Sequence, residues 1–206
     1  METLFSTFVV LLIVIDPIGN APIFMALTHN MSSAYRRKMA IRGIALATVI
    51  LLVFLFIGDV MLKTLGIGIS AFRVAGGILL FLLAIDMVFA RQSGLRSTTV
   101  REQQEAEHKR DVSVFPLAFP LIAGPGALTT VLLMTAPRPE LWFFVGMLVA
   151  LLLVLGLALV SLLFADRIMR LLGETGANVI TRLLGLLLAA LATQYVLDGV
   201  NNAFFV

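Results

Sequence analysis

The chain has 206 residues, of which 60% are hydrophobic and 13% charged, with a mean hydropathy of +1.06 and a formal net charge of +3. A soluble domain of this length has no interior large enough to hide so much apolar surface, so a soluble enzyme, a nucleic-acid-binding protein and a disordered chain are excluded. Cysteine is absent, which removes disulfides, thiolate metal sites and cysteine nucleophiles together.

A membrane-spanning helix needs about 20 apolar residues, and six such segments account for the hydrophobic share. The sequence predicts an all-α polytopic membrane protein with spans at 4–27, 42–62, 70–90, 114–134, 141–165 and 180–200. A single membrane domain is expected over 1–206, with a first half at about 4–90, a polar cytoplasmic linker at 91–112 and a second half at about 113–206. Met1-Glu2-Thr3 carries no basic segment, so no cleavable secretory signal is expected. His29 and His108 fall in predicted loops and form no metal site.

Basic residues set the orientation. With the N-terminus outside, the cytoplasmic loops hold eleven Lys and Arg, among them Arg36, Arg37, Lys38, Arg42 and Arg167. The outer loops hold two, Lys63 and Arg138. Both termini are therefore expected to be external.

The two halves repeat each other. Asp59, Lys63, Leu65 and Gly66 recur as Asp166, Arg170, Leu172 and Gly173, a shift of 107. Pro17 recurs as Pro125, a shift of 108, and Arg73 with Gly76 recurs as Arg182 with Gly185, a shift of 109. Each half has an odd number of spans, so the second is expected upside down relative to the first. The prediction is a 3+3 inverted-topology repeat, the plan of many secondary transporters.

Spans one and four are each expected to break near mid-membrane. The first contains Asp16-Pro17-Ile18-Gly19-Asn20 and the second Gly124-Pro125-Gly126, sequences that remove backbone donors and tolerate non-helical backbone. Paired interruptions at corresponding positions point to a binding site. The freed N–H groups near Gly19, Asn20, Gly126 and Ala127 suit a carboxylate, and Thr129 and Thr130 can add hydroxyls. Asp16 is an acid at membrane depth, which suits a substrate ammonium or a coupling proton; the alternative is that it caps the half-helix after Pro17. The candidate substrate-binding set is Asp16, Gly19, Asn20, Gly124, Gly126, Ala127, Thr129 and Thr130. By depth, Arg73 pairs with Asp198 and Arg182 with Asp86, either as outer and inner gates or as charges snorkelling to the interfaces. Gly76-Gly77 and Gly185-x-x-x-Ala189 are expected to pack helices closely.

The runs IDPIGNAPIF at 15–24, GISAFRVAGG at 68–77, PLAFPLIAGPGA at 116–127, RLLGE at 170–174 and RLLGLLL at 182–188 resemble the MarC-related membrane proteins, an inner-membrane family that includes small neutral amino acid transporters. The resemblance implies a six-span bacterial or archaeal protein that carries glycine, alanine and similar solutes. The expected function is a secondary transporter working by alternating access; the alternative is a passive channel or an exporter for another small solute. No enzyme is expected, since the chain has no HExxH, no nucleotide-binding loop and no histidine in a span. No cofactor or metal is expected, and the coupling ion is H⁺ or Na⁺. The expected partners are a small amino acid and the lipid bilayer, with no nucleic acid; a homo-oligomer stays open.

Overall fold

The computed structural model describes residues 2–29, 31–89, 111–135 and 141–204. Most of the linker, with His108, and the Arg138 loop lie outside the described residues. Within them the chain forms the helices α1 (Glu2–Ile15), α2 (Pro17–Leu27), α3 (Ser33–Thr64), α4 (Ile69–Phe89), α5 (Ser113–Ile122), α6 (Pro125–Thr135), α7 (Leu141–Leu163) and α8 (Ala165–Phe204). Five stretches are long and apolar enough to cross a membrane, and a sixth is counted if α5 and α6, bent by 52°, make one span.

Helix ends follow local chemistry more than hydropathy. α3 begins at Ser33, nine residues before the apolar window, because Ser32 caps it by accepting from Tyr35 N–H at 3.3 Å. Its polar first turns, with Arg36 and Lys38, extend the helix beyond the apolar stretch. It stops where Gly66 takes φ 68 and the chain doubles back, with Ile67 N–H bonded to Leu62 O and Gly66 N–H to Lys63 O. Gly173, the counterpart of Gly66 in the second half, has φ 66 and interrupts α8, so the apolar part of α8 runs over Thr175–Phe204.

α5 is wound more widely than an α-helix. Leu117 N–H reaches Val112 O at 3.1 Å and Ala123 N–H reaches Ala118 O at 2.8 Å, both five residues back. Pro116 and Pro120 explain this. Each lacks a donor and crowds the preceding turn, and Phe115 and Phe119, the residues before them, adopt extended backbone.

The packing places α1, α2, α5 and α6 among the longer helices. α1 packs on α7 and α5 on α3; α2 packs on α7 and α6 on α3; α2 packs on α8 and α6 on α4. α4 lies along α8 in the most extensive contact of the fold. Small residues permit that seam. A Cβ on Gly77 would stand 2.8 Å from Ala192 O, one on Gly185 3.1 Å from Ala84 O, and one on Gly199 2.9 Å from Ser70 O. The two helices therefore run antiparallel with their backbones nearly touching. The outer faces of α3, α4, α7 and α8 expose Phe56, Val60, Leu82, Leu153 and Leu186, as a lipid-facing surface requires. At the Ser33 end of α3, Arg36 pairs with Asp166 at 3.0 Å, joining the first half to the second, and Arg42 pairs with Asp111, at the end of the linker, at 2.6 Å.

Candidate functional site

The helical path of the first span is interrupted at a single residue. Asp16 takes φ 48 and ψ 69, left-handed backbone that a non-glycine residue seldom adopts. A short polar side chain that bonds locally is what makes this tolerable. The Asp16 carboxylate accepts from Gly19 N–H at 3.0 Å and so caps α2, while Pro17 supplies a first helical residue without a donor. Asp16 is fully buried.

Asn20, one turn into α2, is also buried. Its Nδ2 donates to Ile15 O at 2.7 Å, across the interruption. That bond satisfies one of the carbonyls left open where α1 ends. Asn20 Oδ1 has no hydrogen-bond partner among the described residues, and neither has the buried Oγ1 of Thr181 on α8. Gly19 sits between Asp16 and Thr181: a Cβ there would collide with Asp16 Oδ2 and stand 2.6 Å from Thr181 Oγ1. From α7, Ser161 Oγ donates to Pro17 O at 2.6 Å. The first break is thus ringed by polar side chains from three elements.

The second break has a different chemistry. Gly124 precedes Pro125 as Asp16 precedes Pro17, but brings no side chain to cap α6. A Cβ on Gly124 would collide with Pro120 O, and one on Gly126 would stand 2.8 Å from Leu83 Cδ2 and 3.4 Å from Val14 Cγ1. The N–H groups of Gly126 and Ala127 belong to the first turn of α6 and have no acceptor within that helix. Thr130 Oγ1 donates to Gly126 O at 2.8 Å, and the Thr129 methyl packs where a Gly76 Cβ would stand. Neither hydroxyl is set up as a preformed ligand by these contacts. A cleft of about 10 Å³ lies here, lined by Val14, Leu83, Pro120, Gly124, Gly126 and Ala127 among others, room for about one water. Val14, two residues before Asp16, joins the two breaks.

Residues 1–204 match the description "MarC family integral membrane protein". The chain belongs to the MarC family. The UPF0056 inner membrane protein YhgN of Escherichia coli (strain K12) is 38% identical over 201 residues, covering 98% of each chain. The UPF0056 membrane protein YvbG of Bacillus subtilis (strain 168) is 36% identical over 197 residues, 96% of this chain and 93% of that protein. A UPF0056 membrane protein of Archaeoglobus fulgidus is 36% identical over 195 residues, 95% of this chain and 91% of that protein. No solved structure matches.

In this MarC-family chain the substrate-binding candidates divide between the two breaks. Asp16, Gly19 and Asn20 share the first; Gly124, Gly126, Ala127 and Thr130 share the second, with Thr129 turned toward α4. The four candidate gate charges lie along the α4–α8 seam. Its register sets Arg73 level with Asp198, and Asp86 about one turn from the level of Arg182. Asp198 accepts from Gln194 Nε2 at 2.8 Å. Sequence reasoning missed Thr181 and Ser161. Both are hydroxyls inside apolar helices; Ser161 is the only serine of α7, and that rarity was the available signal. It also missed Asp111, whose carboxyl is held below its ordinary value chiefly by the Ser113 hydroxyl, against the cost of burial, with the Ser113 N–H and the charges of Arg42 and Lys38 adding to the lowering.

Proposed function

We propose that this chain is a secondary transporter of small neutral amino acids, glycine, alanine and similar, working by alternating access in the inner membrane of a prokaryote with both termini external. The observation that carries the reading is the buried first break, where Asn20 Oδ1 and Thr181 Oγ1 wait without partners beside the Asp16 carboxylate. A buried unsatisfied polar atom costs about 1–3 kcal/mol, and a transported ligand is one group that meets it.

The 3+3 inverted repeat, with spans one and four broken near mid-membrane, is part of the same proposal. The packing supports it: exchanging α1, α2, α3 and α4 for α5, α6, α7 and α8 turns the α1–α7 contact into α5–α3, α2–α7 into α6–α3 and α2–α8 into α6–α4, all of which occur. The positive φ of Gly66 and Gly173 at matching positions supports it too. On this reading one membrane domain spans 1–206. The substrate lies between the breaks, its carboxylate at Gly126 and Ala127 and its ammonium at Asp16 and Asn20. Small linings at Gly19, Gly124 and Ala127 restrict its size, and the pairs Arg73–Asp198 and Arg182–Asp86 act as gates. A gradient of H⁺ or Na⁺ drives the cycle without a resident cofactor.

Counterflow tests it. Purified protein is placed in liposomes loaded with unlabelled alanine, and labelled alanine is added outside. Transient accumulation of label above equilibrium is expected. Equilibration without overshoot replaces the carrier with a passive channel, and no entry above empty liposomes, with folded protein, removes alanine as the substrate.

A further inference from the structure

The chemistry of the first break is one-sided. The Asn20 amide cannot turn over, because Nδ2 is held by Ile15 O at 2.7 Å and exchange would set two oxygens against each other. The unpartnered atom is therefore the acceptor Oδ1, in a residue 1% exposed. The positive end of α2 is already met by the chain's own carboxylate, since Asp16 Oδ1 holds Gly19 N–H. Asp16 Oδ2 lies over Gly19, on the side where the Thr181 hydroxyl also stands. The carbonyl end of α1 opens into the same turn and adds partial negative charge. Oxygens dominate this space, and of the groups named here only the Thr181 hydroxyl can donate as well as accept, a balance that suits a cation better than an anion.

We propose that Asn20 Oδ1 and Thr181 Oγ1, beside the Asp16 carboxylate, form a monovalent-cation site at the first break. Two sources of that chemistry fit: the ammonium group of a substrate, with its three donors, and a bare alkali cation of the kind that unwound helices hold in transporters. Thr181 enters the site as a ligand, and Gly19 is glycine because a Cβ would collide with Asp16 Oδ2 and crowd the Thr181 hydroxyl, displacing both from the site. The identity of the substrate ammonium rests on the transport reading above; the cation site itself stands on the geometry.

The test uses no amino acid. Full-length protein in detergent is melted while sodium chloride or methylammonium chloride replaces choline chloride at constant ionic strength. One of the two cations is expected to raise the midpoint saturably. Thr181→Val is expected to weaken that apparent affinity at least tenfold, and Thr181→Ser, which keeps the hydroxyl, to stay within about threefold of wild type. Saturation by methylammonium assigns the site to a substrate ammonium, and saturation by sodium assigns it to an alkali cation. No saturable shift with either, or a shift unchanged in Thr181→Val, overturns the proposal. If the valine variant does not fold, Thr181→Ala takes its place. A protein that fails in alanine counterflow yet shows the saturable, Thr181-dependent shift loses the transport reading and keeps the cation site.

Discussion

Gly19 is the point at which the first break has least room, so Gly19→Ala is the sharpest small perturbation. The added Cβ collides with Asp16 Oδ2 and stands 2.6 Å from Thr181 Oγ1. The Asp16 carboxylate then has to leave Gly19 N–H, to which it is bonded at 3.0 Å. Loss of such a cap costs about 1 kcal/mol, and overpacking a tight site about 1–3 kcal/mol. Exchange of glycine for alanine within a helix returns about 1 kcal/mol. The net is a destabilisation of about 2 kcal/mol, which in a chain of this size lowers the melting midpoint by roughly 4–8 °C. Fluorescence of Trp142, the single tryptophan, can follow melting in detergent. The control is Gly156→Ala in α7, where a Cβ meets nothing within 4 Å and the midpoint is expected to hold or rise. Alanine counterflow in Gly19→Ala is expected to fall at least tenfold, because the methyl group displaces the Asp16 carboxylate and the Thr181 hydroxyl from the proposed site. A Gly19→Ala protein with the midpoint and counterflow of wild type refutes the reasoning, since it shows that Asp16 and Thr181 can retreat at no cost.

Three further outcomes follow from other parts of the fold. Gly77→Ala places a Cβ 2.8 Å from Ala192 O and 3.0 Å from Val196 N, backbone atoms that cannot swing aside, so it is expected to destabilise by about 1–3 kcal/mol in the same melting assay, in contrast to Gly156→Ala. Asp111 has its folded-state pKa lowered from 3.8, chiefly by the Ser113 hydroxyl; its contribution to stability is therefore complete above about pH 4 and lost as pH falls through the lowered value. Asp111→Asn is expected to melt below wild type at pH 7, with the gap closing in acid. The chain has no cysteine, so Ser33→Cys and Thr64→Cys report the two ends of α3 without background: an impermeant maleimide is expected to label Thr64→Cys in intact cells and Ser33→Cys only after permeabilisation, and the reverse pattern overturns the orientation.

The apolar segments were legible because membrane-length hydropathy is a strong signal, and the glycine seam because small residues at helical spacing have few other uses in a bilayer. Helix ends were not. Hydropathy marks where lipid begins, whereas Ser32 and Gly66 decide where α3 starts and stops. The wide winding of α5 depends on two prolines four residues apart, Pro116 and Pro120, whose joint effect on the hydrogen-bond ladder exceeds that of either read alone. At the site, Asp16 and Asn20 stood out as polar residues inside an apolar run. Thr181 did not, because its importance arises only when α8 is laid against α2, a contact between residues far apart in sequence. The dual reading of Asp16 reflects a real ambiguity in chemistry: the carboxylate caps α2 through one oxygen and leaves the other beside Thr181.

On the proposed inverted repeat, the divergence of the two breaks bears on what the centre can bind. If both halves had kept one chemistry, the centre would present matching ends and suit a ligand with like ends. Asp16 and Gly124 stand at corresponding positions before Pro17 and Pro125, and they undo that match. Asp16 brings a carboxylate that occupies the N-terminus of α2, while Gly124 has no side chain with which to cap the first-turn N–H groups of α6. One end is then rich in acceptors, with Asn20 Oδ1 and Thr181 Oγ1, and the other offers donors and partial positive charge. On the proposed reading, the solute that fits unlike ends a short distance apart is a small zwitterion. A dicarboxylate meets Asp16 unfavourably, and a simple amine leaves the α6 end unused. Gly124→Asp would carry the second break toward the first by capping α6, although the Pro120 carbonyl stands where its Cβ must go. That collision gives glycine at 124 a steric reason as well as an electrostatic one.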